Sequence, residues 1–436
     1  MSDTHFDSIV IGGGSGGLAF ARQAAALGAR ILLIEKEDLG GTCVNRGCVP
    51  KKILWSAGDL NRSIAAAHSV RVADAPHLSF ETLARRRDDH IAGLRDGFED
   101  SLADDGVTLL RGTAQVDGTT VSVAGSEYTA AQVIIATGAR PATLDIDGAE
   151  HLVDSRDVLS WTTLPASIAI VGGGYIGCEF AAIFRALGVD VMLIHDGDRV
   201  LDTFPATLAD HVQTGLRHSG IAITLNAGLS AANAQGDQLG YTLTNGTKGV
   251  AEAVCAAVGR TPNTDNLGPL SDRLALADNG AIKVDARLAT NVPGVHALGD
   301  VADRMPLTPV ATADGTQLAH ILHGQGGALL DLDDVATTTF VYPPAAFVGD
   351  TGNTPRAGTF RPLSNNILTD ASGPEPQLYR VGFDRSGTLT GAEIVADHAE
   401  DLIALLASLR KAGAQAHDLD RVIPVHPSFA EEFTGT

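Results

Sequence analysis

The chain has 436 residues, enough for about three domains of roughly 150 residues each. It carries 52 Asp and Glu against 31 Lys and Arg, and this net charge of −21 argues against a general nucleic-acid binder or a binder of anionic membranes. Hydrophobic residues make up 44%, as in globular proteins, and the 49 glycines indicate tight turns and close backbone approach to ligands.

The sequence also predicts the compartment. No stretch approaches the ~20 apolar residues of a membrane-spanning helix, and residues 1–7 are polar, unlike a signal peptide. Four cysteines are too few for a disulfide scaffold. We therefore expect a cytoplasmic enzyme.

The first predicted elements form a dinucleotide-binding unit. A strand at residues 8–11 leads into Gly12-x-Gly14-x-x-Gly17, an Ala-rich helix, and a second strand at 31–34 that ends at Glu35. Such glycines allow a tight turn and expose a helix N-terminus to a pyrophosphate. The Glu35 carboxylate suits a ribose without a 2′-phosphate, as in FAD or NAD.

Two cysteines follow this unit directly. Cys43 and Cys48 lie five residues apart between Gly40 and Lys52. The spacing is compatible with chance, with a pair of metal ligands, or with a redox-active dithiol facing a flavin. Metal sites usually have tighter spacings and further Cys or His ligands nearby, so we predict no metal. In a dithiol site, Lys51 would favour the thiolate.

Downstream, a charged helix is predicted at 80–103 and short strands at 115–133. Three apolar runs then end in glycine turns, at 134–138, 256–263 and 295–300, which is typical of buried strands whose ends meet a ligand. Asp300, just past the third run, either caps the turn or binds a ligand hydroxyl.

The chain also contains an internal repeat. A strand at 168–171 leads into Gly172-x-Gly174-x-x-Gly177, and every landmark recurs 160 residues after its first copy, including Gly28 at Gly188 and Glu35 at His195. Close helix–strand packing alone does not explain two copies with matched spacing. The repeat therefore predicts two bound dinucleotides. From about residue 337 we predict strands, loops at 350–373, and a helix at 399–412.

The run from Gly40 to Lys52 resembles the active-site signature of the flavin-dependent pyridine nucleotide-disulfide oxidoreductases. The sequence Pro50-Lys51-Lys52 is most similar to the glutathione reductase branch, since dihydrolipoamide dehydrogenases and mercuric reductases usually have Pro-Ser-Lys. The resemblance covers nearly the whole chain and includes residues 136–138, 172–179, 259–263, 299–300, 307–311 and 426–431.

This resemblance implies an α/β fold with two Rossmann-like domains and a C-terminal α+β dimerisation domain. The FAD domain would be split between residues 1–150 and 269–335. The NAD(P)H domain would span 151–268, and the dimerisation domain 336–436.

The resemblance also implies a route for electrons. A nicotinamide nucleotide binds the second βαβ unit and passes hydride to FAD, which reduces a Cys43–Cys48 disulfide. Cys43 is then the interchange thiol that attacks a small disulfide substrate. Cys48 lies against the flavin as the charge-transfer thiol, and Lys51 pairs with Glu179 beside the flavin N5.

Further residues receive roles in the same way. Tyr175 would cover the nicotinamide pocket, and Asp300 and Thr308 would hold the flavin tail and ring. The other implied cofactor-binding residues are Gly12, Gly14, Ser15, Gly16, Gly17, Glu35, Thr42, Thr137, Gly138, Gly172, Gly174, Ile176, Gly177, His195, Asp196, Gly259 and Arg260. His426 and Glu431 match an acid–base pair that the partner subunit supplies, so we expect a homodimer with shared active sites.

The residues for the substrate match only in part. Ser15, Ala19 and Arg22 match a glutathione-binding stretch of the first helix, but Thr316 stands where a second Arg is usual, and Phe98 where a Tyr is usual. Losing a charge-assisted contact costs about 1.5–3 kcal/mol. We therefore expect a modified or different thiol carrier with fewer carboxylates than glutathione.

The nicotinamide pocket also departs from the family pattern. Asp196 and Asp202 occupy positions at which NADPH-dependent members have Arg, and they would repel a 2′-phosphate. NADH-dependent members usually have an acidic residue where His195 stands, and His195 with Arg199 could form a small phosphate site. We favour NADH. The alternatives are an NAD-dependent dihydrolipoamide dehydrogenase and, from another class, a non-catalytic flavoprotein redox sensor.

Overall fold

The computed structural model describes residues 4–71, 74, 78–352, 355–360, 377–432 and 434. The chain divides into two compact units. The first unit comprises residues 1–52, 81–142 and 260–332, and the second comprises 53–80, 143–259 and 333–436. Within the described residues, no helix has both the length and the apolar character needed to cross a membrane.

A mainly parallel sheet forms the centre of the first unit. Its described strands are β1 (His5–Ile11), β2 (Ile31–Glu35), β3 (Thr108–Arg111), β4 (Ala114–Asp117), β5 (Thr120–Val123), β6 (Ser126–Ile135) and β16 (Val295–Ala297). Their order is β3-β2-β1-β6-β5-β4, with β16 also paired to β6, and only β4 and β5 run antiparallel to their neighbours.

The helices that pack against this sheet are α1 (Ser15–Ala26), α4 (Phe80–Asp104) and α8 (Thr308–His323). After β2 come α2 (Gly41–Arg46) and α3 (Cys48–Ser69), and α3 belongs to the second unit from residue 53 on. A short antiparallel pair joins β7 (Ala139–Pro141) to β15 (Arg260–Pro262). Consecutive residues Ile9 and Val10 are both fully buried and belong to different apolar clusters. Both faces of β1 are therefore covered, which explains why its residues 9–11 are all apolar.

The second unit contains a smaller parallel sheet built from the repeat. Its strands are β8 (Ser167–Val171), β9 (Asp190–Ile194), β10 (Ala222–Thr224) and β14 (Ala253–Ala256), in the order β10-β9-β8-β14. The helices in this part are α5 (Ser155–Val158), α6 (Tyr175–Ala186) and α7 (Ala206–His218). An antiparallel sheet is formed by β11 (Leu229–Gln235), β12 (Gln238–Leu243) and β13 (Lys248–Ala251).

An antiparallel sheet completes the second unit. Its described strands are β17 (Thr337–Thr339), β18 (Ala345–Gly349), β19 (Arg356–Phe360), β20 (Gln377–Phe383) and β21 (Leu389–Val395), in the order β17-β18-β21-β20-β19. Two helices follow, α9 (Ala399–Lys411) and α10 (Ala416–Asp420). Buried Ile403 and Leu406 of α9 pack against Ala392 and Ile394, so α9 covers one face of the sheet.

Two sequence predictions were wrong in detail. Residues 350–373 were expected to be loops, but β19 lies within them, and residues 353–354 and 361–373 lie outside the described residues. Cross-strand pairing with β20 along all of β19 outweighs the weak strand signal of its sequence. The apolar run at 256–263 ends its strand at Ala256, and residues 260–262 pair with β7 instead.

The unit boundaries also differ from the predicted domain boundaries. Residues 260–268 belong to the first unit, because β15 pairs with β7 and Val116 N donates to Leu267 O at 2.8 Å. Residues 143–150 and 53–80 belong to the second unit. The division into FAD, NAD(P)H and dimerisation domains stays a prediction.

Candidate active site

The two glycine-rich turns have the same backbone geometry. Gly12 and Gly172 begin them with φ of +109° and +114°. A Cβ on Gly12 would lie 2.3 Å from the carbonyl oxygen of Ala136, and one on Gly172 would lie 2.2 Å from that of Ala257. Both the left-handed φ and the close carbonyl require glycine.

The other two glycines of each turn have different structural roles. A Cβ on Gly17 would lie 2.0 Å from Gly12 O, and one on Gly177 would lie 1.9 Å from Gly172 O, so these glycines let helix and strand pack closely. Gly14 and Gly174 precede α1 and α6. A Cβ on Gly14 would meet only the Cα of Gly41, at an ordinary contact distance of 3.8 Å, and no atom lies within 4 Å of a Cβ on Gly174. Both helix N-termini therefore have room for a pyrophosphate, and the residues fit two dinucleotides.

This geometry makes a paired prediction. We expect Gly172→Ala to lower the free energy of unfolding by roughly 2–4 kcal/mol, because it adds backbone strain and a steric clash. Gly174 has a φ of −69° and open space where a Cβ would lie, so the Gly174→Ala variant should be as stable as wild type. Chemical denaturation of both variants without nucleotide tests this, and equal stabilities would contradict the assigned geometry.

The strand ends that follow the turns are also equivalent. Gly13 N donates to Glu35 Oε2 at 2.6 Å, and Gly173 N donates to His195 Nδ1 at 3.1 Å. The same His195 Nδ1 also lies 3.3 Å from Asp196 Oδ1. The N–H of the first turn thus bonds to a carboxylate at the end of β2, and that of the second turn to an imidazole directly after β9. This imidazole is next to the exposed Asp196.

The cysteine segment is held against the first turn. Gly40 N donates to Gly13 O at 2.8 Å, and a Cβ on Gly41 would lie only 2.7 Å from the Cα of Gly14. Asn45 fixes α2, since its amide donates to the carbonyls of Leu39 and Gly41 at 3.0 and 2.9 Å. Arg95 of α4 in turn donates to the Asn45 side-chain oxygen at 2.6 Å.

The two thiols differ in their electrostatic surroundings. Cys43 lies on α2 and is half-buried, whereas Cys48 is the first residue of α3 and is exposed. A hydrogen bond from Cys43 lowers the pKa of Cys48 to about 6, assisted by Thr308 and Lys51 and opposed by partial desolvation of the sulfur. The same hydrogen bond, with burial, raises the pKa of Cys43 well above its usual value. Cys48 is therefore the thiolate of the pair, and its Sγ lies 3.5 Å from Thr308 Oγ1.

Further predicted residues meet at the strand ends of the first unit. Thr137 Oγ1 donates to Asn263 O at 2.7 Å, and Asn263 Nδ2 donates back to Thr137 O at 2.9 Å. Arg260 lies 3.6 Å from Asp300. Burial raises the pKa of the Asp300 carboxyl, and Arg260 opposes this rise.

His426 and Glu431 form a pair in a turn near the C-terminus. His426 Nδ1 lies 2.8 Å from Glu431 Oε2, and Ser428 N donates to Glu431 Oε1 at 2.6 Å. The hydrogen bond from His426 is the main cause of a lowered pKa of Glu431. The imidazole is 81% exposed, so its Nε2 edge is open for contact with another molecule.

Arg22, which was predicted to contact the substrate, has a partner within the chain, and so do Thr316 and Phe98, which replace family substrate residues. Arg22 Nε donates to Asp105 at 2.6 Å, and Thr316 Oγ1 donates to Thr312 O at 3.0 Å. Phe98 packs into the apolar core of the first unit, and Ala19 lies on α1 beside Gly315 of α8. An Arg22 paired with a carboxylate has less charge to offer an anionic substrate.

Other predicted residues lie in different units. Lys51 belongs to the first unit and Glu179 to the second, and likewise Cys43 and His426. Their pairing stays a prediction. In the second unit, Tyr175 and Ile176 begin α6, Tyr175 is exposed, and Gly259 has open space beside it. In the first unit, Ser15 and Gly16 begin α1, Thr42 is exposed on α2, and Gly138 has open space beside it.

Three supporting residues did not stand out in the sequence. Asn45 and Asn263 lie inside recognised motifs, but no pattern distinguished them from their neighbours. The third is Phe340, whose backbone N–H donates to Glu179 Oε1 at 2.9 Å. A backbone donor leaves no signature in the residue type, so the sequence offered no signal for it.

Comparison with known proteins gives two family matches. Residues 6–315 match the pyridine nucleotide-disulphide oxidoreductase family, and residues 335–436 match its dimerisation domain. The chain is 37% identical over 446 residues to a glutathione reductase of Burkholderia cepacia, covering 99% of this chain and 98% of the relative. It is 33% identical to a glutathione reductase of Nostoc sp. and 32% identical to one of Yarrowia lipolytica, and each alignment covers 98% of both chains.

These matches confirm the predicted α/β fold class with its C-terminal dimerisation domain, and the predicted enzyme class. The cofactors that the family implies are FAD and a nicotinamide nucleotide, which fits the two glycine-rich turns. The chain belongs to the pyridine nucleotide-disulphide oxidoreductase family and is a flavoprotein enzyme.

Proposed function

We propose that this enzyme reduces a small disulfide of the glutathione-disulfide type, using NADH, FAD and the Cys43–Cys48 pair. The observation that carries the proposal is the asymmetry of the two thiols. Cys48 begins α3 with its Sγ 3.5 Å from Thr308 Oγ1, and the hydrogen bonds from Cys43 and Thr308 together with Lys51 lower its pKa. The names of the relatives support glutathione disulfide as the starting point for the substrate.

The proposed chemistry is a two-electron exchange. The first glycine-rich turn and Glu35 would hold FAD, which when bound would supply the transfer of an electron pair from the nicotinamide to the Cys43–Cys48 disulfide, giving two sulfhydryl groups. Cys43 then passes its proton to His426 and attacks one sulfur of the substrate disulfide, and His426 returns the proton to the departing thiolate. Cys48 next attacks the Cys43 sulfur of the mixed disulfide, which releases the second thiol and restores the Cys43–Cys48 bond. One NADH and one proton thus convert a disulfide into two thiols.

The pocket of the second unit supports NADH over NADPH. Asp196, Asp198 and Asp202 are all exposed on the segment after β9. The nearest cation along the chain, Arg199, lies 3.6 Å from Asp210 and is partly neutralised by it. A 2′-phosphate would meet more negative than positive charge in this segment.

A charge reversal tests the nucleotide preference. We expect Asp196→Arg with Asp202→Arg to raise the NADPH-to-NADH ratio of kcat/KM by at least about tenfold, because Arg can bind a phosphate bidentately. Asp190→Arg with Asp237→Arg makes the same charge change at exposed positions of the same unit and is the matched control. A wild type that already prefers NADPH tenfold would refute the argument.

A homodimer with shared sites is also proposed. Residues 335–436 match a dimerisation domain, and the sequence leading to His426 is apolar and open: Ile423 is 92% exposed and Val425 is 77% exposed. Apolar side chains this exposed favour burial against a second copy. Such burial would bring the open edge of His426 to the partner subunit.

Dihydrolipoamide dehydrogenase activity remains the second candidate, favoured by the acidic segment after β9. Steady-state assays with NADH and NADPH against glutathione disulfide, its carboxyl-amidated analogue and lipoamide separate the candidates. We expect the two glutathione-type disulfides to be reduced, and the amidated form to lose little, because Arg22 is paired with Asp105 and Thr316 carries no charge. Lipoamide as the best substrate would overturn the proposal.

A further inference from the structure

The carboxylate of Glu179 is held by a backbone group from a distant part of the chain. Glu179 lies on α6 and is only 5% exposed. Its Oε1 accepts a hydrogen bond from Phe340 N, directly after β17, at 2.9 Å. A buried carboxylate depends strongly on such donors, because losing one leaves charge in a medium that solvates it poorly.

The segment 340–342 is itself fixed to α3 by reciprocal hydrogen bonds. Trp55 Nε1 donates to Val341 O at 3.1 Å, and Tyr342 Oη donates to Trp55 O at 2.7 Å. The rings of Trp55 and Tyr342 are stacked 5.5 Å apart at 9°, and the Phe340 ring meets Trp55 edge-on at 5.7 Å. We call Trp55, Phe340 and Tyr342 the aromatic clamp.

The sequence of α3 is adapted to the aromatic clamp. Trp55, Gly58 and Arg62 are spaced to lie on one face of the helix. Gly58 leaves room for the Tyr342 hydroxyl, which would lie 2.4 Å from a Cβ at that position, and the Arg62 guanidinium lies 4.8 Å from the centre of the Tyr342 ring.

The same helix also holds the far end of α6. Asn61 Nδ2 donates to the carbonyl oxygen of Ala186, the last residue of α6, at 2.8 Å. α3 thus fixes α6 at two places, through Asn61 at its C-terminus and through the aromatic clamp at Glu179. The helix α3, which carries Trp55 and Asn61, begins at Cys48.

We infer that Trp55 and Tyr342 are positioning residues for Glu179. The aromatic clamp fixes the Phe340 N–H, and this N–H holds the Glu179 carboxylate in place for the reduction of the flavin by the nicotinamide. The inference rests on the proposed function and on the place beside the flavin that the family resemblance implies for Glu179. It assigns the step affected to reduction of the flavin by the nicotinamide and not to the exchange with the disulfide substrate.

A double-mutant cycle on the holoenzyme tests the inference. Tyr342→Phe and Trp55→Phe each remove one hydrogen bond of the aromatic clamp and keep an aromatic ring. We expect each to slow the limiting rate of flavin reduction by NADH about fivefold, with little change in the NADH concentration at half-maximal rate. In a Glu179→Gln background the same changes should have almost no further effect. Trp161→Phe, the other tryptophan of the chain, is the matched control and should leave the rate unchanged.

A second readout does not depend on turnover. In the Trp161→Phe background Trp55 is the one remaining tryptophan, so its fluorescence reports the aromatic clamp. Tyr342→Phe should increase quenching of this emission by acrylamide, because the stacked ring is held less firmly. Unchanged quenching together with an unchanged rate would overturn the inference.

The outcomes separate the inference from the proposed function. Rate effects of Tyr342→Phe that multiply with those of Glu179→Gln would show a structural role unrelated to the carboxylate, and would overturn the inference alone. A wild-type flavin that neither NADH nor NADPH reduces would contradict the proposed function and the inference with it. Because flavin reduction needs no disulfide, the cycle can be measured even when the substrate is still unidentified.

Discussion

Replacing Cys48 with Ser is expected to abolish both disulfide reduction and the long-wavelength absorption band that wild type shows after two-electron reduction. Cys43→Ser should show this band with its flavin still oxidised, because no Cys43–Cys48 disulfide can form and Cys48 is already free. Only a thiolate against the flavin gives this band, and Cys48 is the thiol that Cys43, Thr308 and Lys51 hold ionised. Each variant loses its interchange chemistry, so we expect kcat to fall at least about 1,000-fold in both. Absorption spectra of the oxidised variants and of wild type after anaerobic addition of two electrons per flavin measure the band, and steady-state assays measure disulfide reduction.

The pH dependence of the band provides a further check. A thiol is ionised above its pKa, so the band should be full at neutral pH and disappear as the pH falls through about 6, the pKa of Cys48. Thr308→Val removes a hydrogen bond to this thiolate and should move the midpoint to higher pH. A band that survives in Cys48→Ser would reverse the roles of the two cysteines.

The sequence was most informative where function requires a particular backbone. Gly12 and Gly172 need a left-handed φ beside a carbonyl, and Gly17 and Gly177 need contact with the preceding turn. Only glycine satisfies these conditions, so the backbone geometry can be predicted from the residue type. This explains why a repeat offset of 160 residues predicted two structurally equivalent turns.

The sequence was least informative where contacts join distant parts of the chain. β19 forms through pairing with β20, and the five residues of β19 have no clear alternating pattern. Arg22 matched a substrate-binding position, but its partner Asp105 follows 83 residues later and could not be anticipated. The Phe340 N–H that holds Glu179 is a backbone group, which every residue except proline provides. Such features depend on the tertiary structure and leave no local signal.

The last prediction concerns His426, whose loss we expect to reduce disulfide turnover by about 100- to 10,000-fold. A departing thiolate needs a proton, and imidazole titrates in the range where it can provide one. Glu431 already binds Nδ1 at 2.8 Å, which leaves Nε2 as the nitrogen that faces other molecules. His417→Ala, another exposed histidine of the same unit, is the matched control and should leave turnover unchanged.

Mixing two inactive variants tests whether each site needs two chains. If His426 serves the partner's Cys43, a heterodimer of Cys43→Ser and His426→Ala chains contains one site with both wild-type residues and one site with neither. Random exchange makes half of the dimers mixed, so equal amounts should recover about a quarter of the wild-type activity per site. Exchange can be followed by giving each variant a different affinity tag and isolating the doubly tagged dimer, which alone should carry the activity. A doubly tagged dimer without activity would place His426 in the same chain as the Cys43 that it serves, since every chain then lacks one of the two groups.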